Sequence, residues 1–340
     1  MSHFEYVWTH SSQYRVQVEQ FWQEYLPGTP EGRFDWLSSG NPAGPAAWLF
    51  ACDKRTGVLA GVISLVPRQM YLRGRPIRAG ILGDFMVARA YRAFGPGLAM
   101  PKQVVAKHRS LGFDLLYTVP NSGAENIMRN AGFVPQGGMR RYVRLVSTVP
   151  YLNEFVPHAA ARLLGVVGDL ALSMVSRDTK EPRSLAVAEE DAVGPSFDNL
   201  WESVKNSYSG LIGDRSAAYL HWKHLRNPSG PCRLITLRSR PTGELLGYSF
   251  FRTSAQTAEF VDLLSYSAKL ETILVDAVAR AARARGCKTL CISLGAAIPL
   301  ATTIRKSFFF DRGQDHVVKW HGPDAMEHEE CYFLEGDRNL

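Results

Sequence analysis

FMVARAYRAFGPGLAM, residues 85–100, holds the end of a strand, a glycine turn and the start of a helix. The apolar run ending at Val87 reads as the strand. Arg92, Gly95 and Gly97 follow, and a helical pattern begins with Gly97. Arg-x-x-Gly-x-Gly-x-Ala in that setting suits an anion such as a pyrophosphate. Glycine lets the main chain approach closely, and N–H groups at a helix start face the ligand. The turn forms an anion nest, reinforced by the helix dipole. Pro96 removes one donor, which leaves the amides of Ala93, Phe94, Gly95, Gly97 and Leu98.

The flanking segments extend this unit. Gly83–Val87 reads as a strand, Gly97–Ser110 as a helix, Asp114–Val119 as a strand and Gly123–Asn130 as a helix. The same order returns later: strand Glu259–Leu264, helix Leu270–Arg285, strand Lys288–Ser293 and helix Ile298–Lys306. Ahead of each series lies an ungapped repeat, Phe34–Gly61 against Leu220–Gly247, with nine identities in 28 positions. Trp36 matches Trp222. Asn41, Pro42, Gly44 and Pro45 match Asn227, Pro228, Gly230 and Pro231. Thr56, Gly57, Leu59 and Gly61 match Thr242, Gly243, Leu245 and Gly247. Each copy reads as a short helix stopped by the prolines and glycine, followed by an antiparallel hairpin whose first strands are Trp48–Cys52 and Leu234–Leu237.

The turn at residues 92–99 resembles the acetyl-CoA signature of the GNAT superfamily, with Val87 and Tyr91 where that family places a valine and an aromatic. NSGAENIMRNAGF, residues 121–133, resembles the family's second motif through Asn121, Ala124, Gly132 and Phe133. The resemblance covers residues 1–146 most directly. With the repeat, it implies an α/β chain with mixed sheets: two tandem GNAT-like folds at 1–146 and 186–340, joined by a linker with a helix at 147–185. Tandem bacterial proteins of polysaccharide clusters look similar, including the Tyr332, Phe333, Gly336, Asp337 stretch near the end. The second half has SYSAKLET where the glycine turn would be, so it is expected not to bind coenzyme A.

The composition is that of a globular chain: 46% hydrophobic and 21% charged, with a formal charge of +7. A basic balance favours anionic partners. No basic stripe with interleaved aromatics points to nucleic acid. The opening MSHFEYVWTHSS lacks a basic head and apolar run, and Ala159–Val175 is too short and too charged for a membrane span, so a cytoplasmic protein is expected. The five cysteines are scattered. Cys287 and Cys291 share one strand face as buried thiols, and no set of ligands for a metal is apparent.

The resemblance implies direct attack of an amine on an acyl thioester, with acetyl-CoA or another acyl-CoA as donor and a small-molecule amine, such as an amino sugar or nucleotide sugar, as acceptor. Pantetheine is expected along the main chain of Phe85, Met86 and Val87, and the phosphates on residues 92–98, with Asn121 nearby. A base is needed, because an alkylamine has a pKa near ~10. Asp84, alone in the apolar run GILGDFMV, is the first choice. The alternative is a structural carboxylate tied to a loop or to Arg73, Arg75 or Arg78. Asp262 occupies the similar place in the second half. Tyr117 is the second candidate, with a core tyrosine as the alternative. If neither serves, a group from the second half is next. The family's usual tyrosine acid is replaced by Met128, which has no proton to give. His221 and His224 read as surface or packing residues. Two other functions fit less well: a FemX-like aminoacyl transferase, and a binding protein that keeps the fold without turnover.

Overall fold

Both copies of the repeat adopt the same turn. Asn41 and Asn227 each accept from a backbone amide two residues on, Ala43 at 3.0 Å and Ser229 at 2.9 Å. The carbonyls of the two asparagines accept from Gly44 and Gly230, both at 3.0 Å. Gly44 and Gly230 have φ of 114° and 106°, in the left-handed region that glycine enters without a steric penalty. The repeated identities therefore record repeated backbone geometry.

The structure is a computed structural model that describes residues 3–10, 12–148, 182–295, 298–322 and 330–338. The first half runs β1 Phe4–Thr9, α1 Arg15–Tyr25, α2 Arg33–Ser38, β2 Ala47–Asp53, β3 Leu59–Leu72, β4 Arg75–Val87, α3 Pro96–Lys107, β5 Leu115–Thr118, α4 Ser122–Asn130 and β6 Val134–Leu145. The second runs β7 Leu185–Glu190, α5 Pro195–Ser207, β8 Leu211–Gly213 and α6 Ala217–Leu220, which leads into a π-helical turn His221–Leu225. It continues with β9 Arg233–Ser239, β10 Leu245–Ser254, β11 Thr257–Ser265, α7 Ala268–Ala284, β12 Thr289–Gly295, α8 Leu300–Lys306, β13 Phe310–His321 and β14 Cys331–Tyr332. Within the described residues the expected helices and central strands are present with ends shifted by up to three residues, except that the strand expected at Gly83–Val87 starts earlier, at Arg75.

The strands form one mixed sheet in the order β1-β2-β3-β4-β5-β13-β6-β12-β11-β10-β9-β7. In each half, four antiparallel strands lead to a parallel fifth, β4 against β5 and β11 against β12. The last strands are exchanged. β13 of the second half pairs with β5 of the first, β6 of the first pairs with β12 of the second, and β6 and β13 pair with each other. The halves assigned to 1–146 and 186–340 are thus repeats in sequence but interleaved in space, with β7 starting at Leu185, inside the stretch expected as linker. The helix expected at Ala159–Val175 lies outside the described residues. No helix among the described residues is long and apolar enough to cross a membrane.

The core follows the exchange. Trp22, Phe34, Trp48 and Phe50 from the first half pack in one cluster with Tyr219, Trp222, Trp320 and Phe333 from the second. Beneath it, Arg68 on β3 and Arg215 after β8 both pair with Asp337 near the chain end, Arg215 at 3.0 Å. Burial opposes ionisation of Asp337, but Arg215 and Arg68 outweigh it and hold its pKa down at about 2. Cys287 and Cys291 are buried free thiols, as expected, and burial raises the pKa of both. His224 is also buried and stacks on Phe250, with centroids 4.6 Å apart.

Candidate functional site

β4 is where the sheet opens. Its pairing with β3 passes from Val62↔Met86 to Ser64↔Gly83, so two residues of β3 span three of β4. The bulge falls at Asp84 and Phe85, and Asp84 has a φ of 48°, rare for a residue with a side chain. β5 pairs with β4 only at Ala79–Ile81, before the bulge. Beyond it the strands part, and no strand among the described residues pairs with the β5-facing edge of Phe85, Met86 and Val87.

The glycine turn lies at the wide end of this wedge. Arg89–Phe94, including Ala93, form a 3₁₀ turn that ends at Gly95, φ 94°. Pro96 takes the first position of α3, where its missing N–H costs least, and Gly97 follows it. A Cβ on Gly97 would meet only ordinary contacts, Val87 Cγ2 at 3.6 Å and Phe85 Cζ at 4.0 Å. The Leu98 amide donates back to the Gly95 carbonyl at 3.2 Å, which reduces its availability to a ligand. Arg92 curls inward, with Nε donating to the Val87 carbonyl at 3.2 Å and its guanidinium over the Tyr25 ring. Asn121 caps α4 by accepting from the Ala124 amide at 2.9 Å.

Asp84 is held from three sides. Oδ1 accepts from Trp22 Nε1 at 3.1 Å and Arg33 Nη2 at 2.9 Å, and Oδ2 accepts from Ser64 Oγ at 2.8 Å. Its side chain is 2% exposed. Of the two roles left open for Asp84, this geometry favours the anchored carboxylate. The arginine is Arg33 of α2, not Arg73, Arg75 or Arg78. Local sequence could not supply this partner, because α2 approaches β4 only through the tertiary fold.

Tyr117 is fully buried. Its hydroxyl donates to the Asp337 carbonyl at 3.1 Å and accepts from Arg68 Nη1 at 3.0 Å. Burial pushes its pKa up to about 12, against the pull of Arg68. These contacts place Tyr117 in the polar core, the alternative reading, rather than at the wedge. Met128 is buried among Met100, Val104 and Phe133.

Two cavities lie against Asp84 or its partners Trp22 and Arg33. One of about 570 Å³ lies between α1 and α2, lined by Arg15, Glu19, Trp22, Glu31 and Arg33 among others. The second, of about 20 Å³, joins the halves and is bounded by Ser64, Gly83, Asp84, Trp222, Lys223 and Arg338. The second-half residues of this cavity carry no local motif; the repeat brought Trp222 to notice, but not its neighbour Lys223.

The corresponding wedge of the second half is filled. β11 carries its own register shift beside Asp262, and β12 pairs with it only at Thr257–Glu259. Residues 331–337 then enter the gap. Tyr332 Oη donates to the Leu263 carbonyl at 2.6 Å, the Gly295 amide donates to Phe333 at 2.9 Å, and Leu334 bridges Leu294. Leu263 stands where Phe85 stands in the first half.

No family model matches the sequence, and no curated protein matches it. Solved structures do match. A conserved protein of unknown function from Enterococcus faecalis, described as a probable N-acyltransferase, superposes with a TM-score of 0.66 at 14% identity, over 96% of this chain and 73% of that one. A GCN5-related N-acetyltransferase from Anabaena variabilis gives 0.65 at 13% identity, over 93% and 72%. N-myristoyltransferase from Saccharomyces cerevisiae with bound myristoyl-CoA gives 0.56 at 10% identity, over 94% and 82%. The chain has the GNAT fold, and the likeness runs through both halves.

Proposed function

We propose that the protein is an acyl-CoA-dependent N-acyltransferase whose single donor site is the β4/β5 wedge of the first half. One observation carries this: the wedge is open beside Phe85–Val87 and ends at the Gly95–Gly97 turn, whereas the matching wedge is closed by residues 331–337. Pantetheine would pair with the free edge of β4 as an added strand, and the pyrophosphate would lie at the start of α3. The bulge leaves main-chain N–H groups near Phe85 to stabilise the thioester oxygen as it gains charge.

The acceptor is a small polar amine entering through the cavity between α1 and α2, which is of ligand size. Its mixture of arginines and glutamates suits an amino sugar or a nucleotide sugar. Asp84 fixes Arg33 and Trp22, so it shapes the wall between that cavity and the wedge. Calorimetry with acetyl-CoA, followed by turnover with a panel of amino sugars and simple primary amines, tests this function. Micromolar binding at one site with amide formation is expected. No binding would overturn the donor site, and binding without turnover would favour a GNAT-fold binding protein.

A further inference from the structure

Lys223 stands on the π-helical turn after α6, at the join of the halves, and is 4% exposed. Its Nζ lies 5.8 Å from the centroids of both the Trp36 and Trp222 rings. The acceptor it meets among the described residues is the Arg338 carbonyl, at a long 3.4 Å. Arg33 of α2, Arg68 of β3, Asp84 of β4, Arg252 of β10, neighbouring His224, and Asp337 and Arg338 near the chain end are the charged and titratable groups around it. Burial, then Arg68, Arg33 and Arg252, outweigh Asp337 and bring its pKa down to about 7.

Asp84 and Lys223 line the same cavity, which has about 20 Å³ of room. A single water needs roughly 10–15 Å³ and polar partners, and Ser64, Asp84 and Lys223 supply them. The cavity borders the β4 bulge at Gly83 and Asp84, immediately ahead of the free edge at Phe85–Val87. We propose that Lys223, from the second half, is the proton acceptor of acyl transfer, working through one water held between it and Asp84; this rests on the acyl-CoA function above.

The amine nitrogen attacks the thioester carbon, forming the C–N bond. Its proton passes to the water, and a proton of that water passes to neutral Lys223. The C–S bond breaks and its electron pair leaves with the coenzyme A thiolate. The Lys223 ammonium returns the proton to the thiolate by the same water, leaving amide, free thiol and neutral lysine. An ordinary thiol has a pKa of ~8.5, so transfer from an ammonium of pKa about 7 runs downhill. Lys223 thereby supplies the acid that Met128 cannot. Asp84, anchored by Trp22, Arg33 and Ser64, orients the water as a positioning residue.

The test compares the whole wild-type chain with Lys223→Met and Lys223→Arg, using acetyl-CoA and the amine panel. Acetyl-CoA affinity is measured first, then single-turnover rate from pH 5.5 to 9. The wild-type rate should rise with pH through a midpoint near 7. Both variants should lose about 10²-fold in rate and lose that midpoint, with acetyl-CoA affinity kept within about threefold. A variant with the wild-type rate and midpoint overturns the proposal, and so does a wild-type profile flat through 7. If Lys223→Met fails to fold, Lys223→Arg and the wild-type profile still decide. A wild type that binds no acetyl-CoA sinks the acyl-CoA function and this proposal with it. A wild type that acylates amines while both variants match it sinks only the role of Lys223. Bound acetyl-CoA with no amine turned over also counts against it.

Discussion

Trp36 and Trp222 hold each other. Nε1 of each donates to the main-chain carbonyl of the other at 2.9 Å, and the rings stack with centroids 4.6 Å apart. The two residues occupy the same position in the repeat, so the contact is its own mirror, as at a two-fold interface between identical subunits. The pseudo-two-fold relation between the halves passes between these rings, beside the cavity shared by Asp84 and Lys223.

That reciprocity predicts coupling. Trp222→Phe keeps an aromatic ring but leaves the Trp36 carbonyl without its donor, a loss of about 1–3 kcal/mol. Trp36→Phe should cost a similar amount. Denaturant unfolding of both singles and the double should give a coupling of at least ~0.5 kcal/mol. Strictly additive losses would show that the two bonds are independent.

Asp337 answers Arg68 and Arg215 across the same join. Asp337→Asn leaves two buried guanidiniums without this carboxylate and should destabilise the fold by about 3–5 kcal/mol. The pH dependence has a definite sign. The folded pKa, about 2, lies below the ordinary carboxylate value, so the stabilisation is present above pH ~4 and is lost as pH falls toward 2. Urea midpoints between pH 2 and 5 should slope less in Asp337→Asn than in wild type; parallel slopes would remove Asp337 from the acid response.

The repeat, the glycine turn and the order of central elements were legible in the sequence because each rests on local chemistry. Gly61 and Gly247 illustrate it: a Cβ on either would come within 2.9 Å of Met100 Sδ and 2.7 Å of Ser265 Cβ respectively, so both copies need glycine where a strand meets its neighbours. The exchange of β6 and β13 was not legible. An exchanged strand keeps its apolar pattern and changes only its neighbours. Asp84 and Tyr117 were singled out as polar residues on apolar strands, but their partners, Arg33 and Asp337, lie 51 and 220 residues away. Lys223 carried no local signal, since its properties come from burial among groups of five other segments.

Gly97→Asp tests the phosphate site. The added Cβ has ordinary contacts and Gly97 does not need a left-handed φ, so the variant should fold. A carboxylate at the helix start should repel the pyrophosphate and lower acetyl-CoA affinity by at least about 10²-fold. Unchanged affinity in a variant with wild-type circular dichroism would move the donor site elsewhere.

Asp84→Asn separates an anchor from a base. Arg33 and Trp22 would then face a neutral group, so melting temperature should fall and acetyl-CoA turnover should drop. If Asp84 only anchors, the rate midpoint near pH 7 stays, because it belongs to Lys223. If Asp84 is itself the base, the midpoint disappears and higher pH restores part of the rate by supplying more neutral amine. The pH–rate profile and melting curve of one preparation therefore decide its role.

Lys223 can be followed without any substrate. Its folded pKa, about 7, lies below the ordinary lysine value of ~10.4. Between those values the unfolded chain binds a proton that the folded chain has released, so stability must rise as pH climbs through 7. Below pH 7 the folded protein holds a charged ammonium in the core and gains nothing from its neutral form. Buried thiols with raised pKa values, Cys232 among them, begin to oppose folding only once unfolded thiols ionise near pH ~8.5. Below about pH 7 unfolding also protonates His108 and His224, whose folded pKa values burial lowers, so the clean window is pH 7 to 8.5. Lys223→Met replaces the amine with an uncharged chain of similar length. It should be more stable than wild type at pH 7, and the gap should narrow from there toward pH 8.5. Chemical denaturation at half-unit steps of pH measures that difference directly. A gap that stays constant across the window would mean Lys223 keeps its proton throughout, and it could then accept none from a substrate.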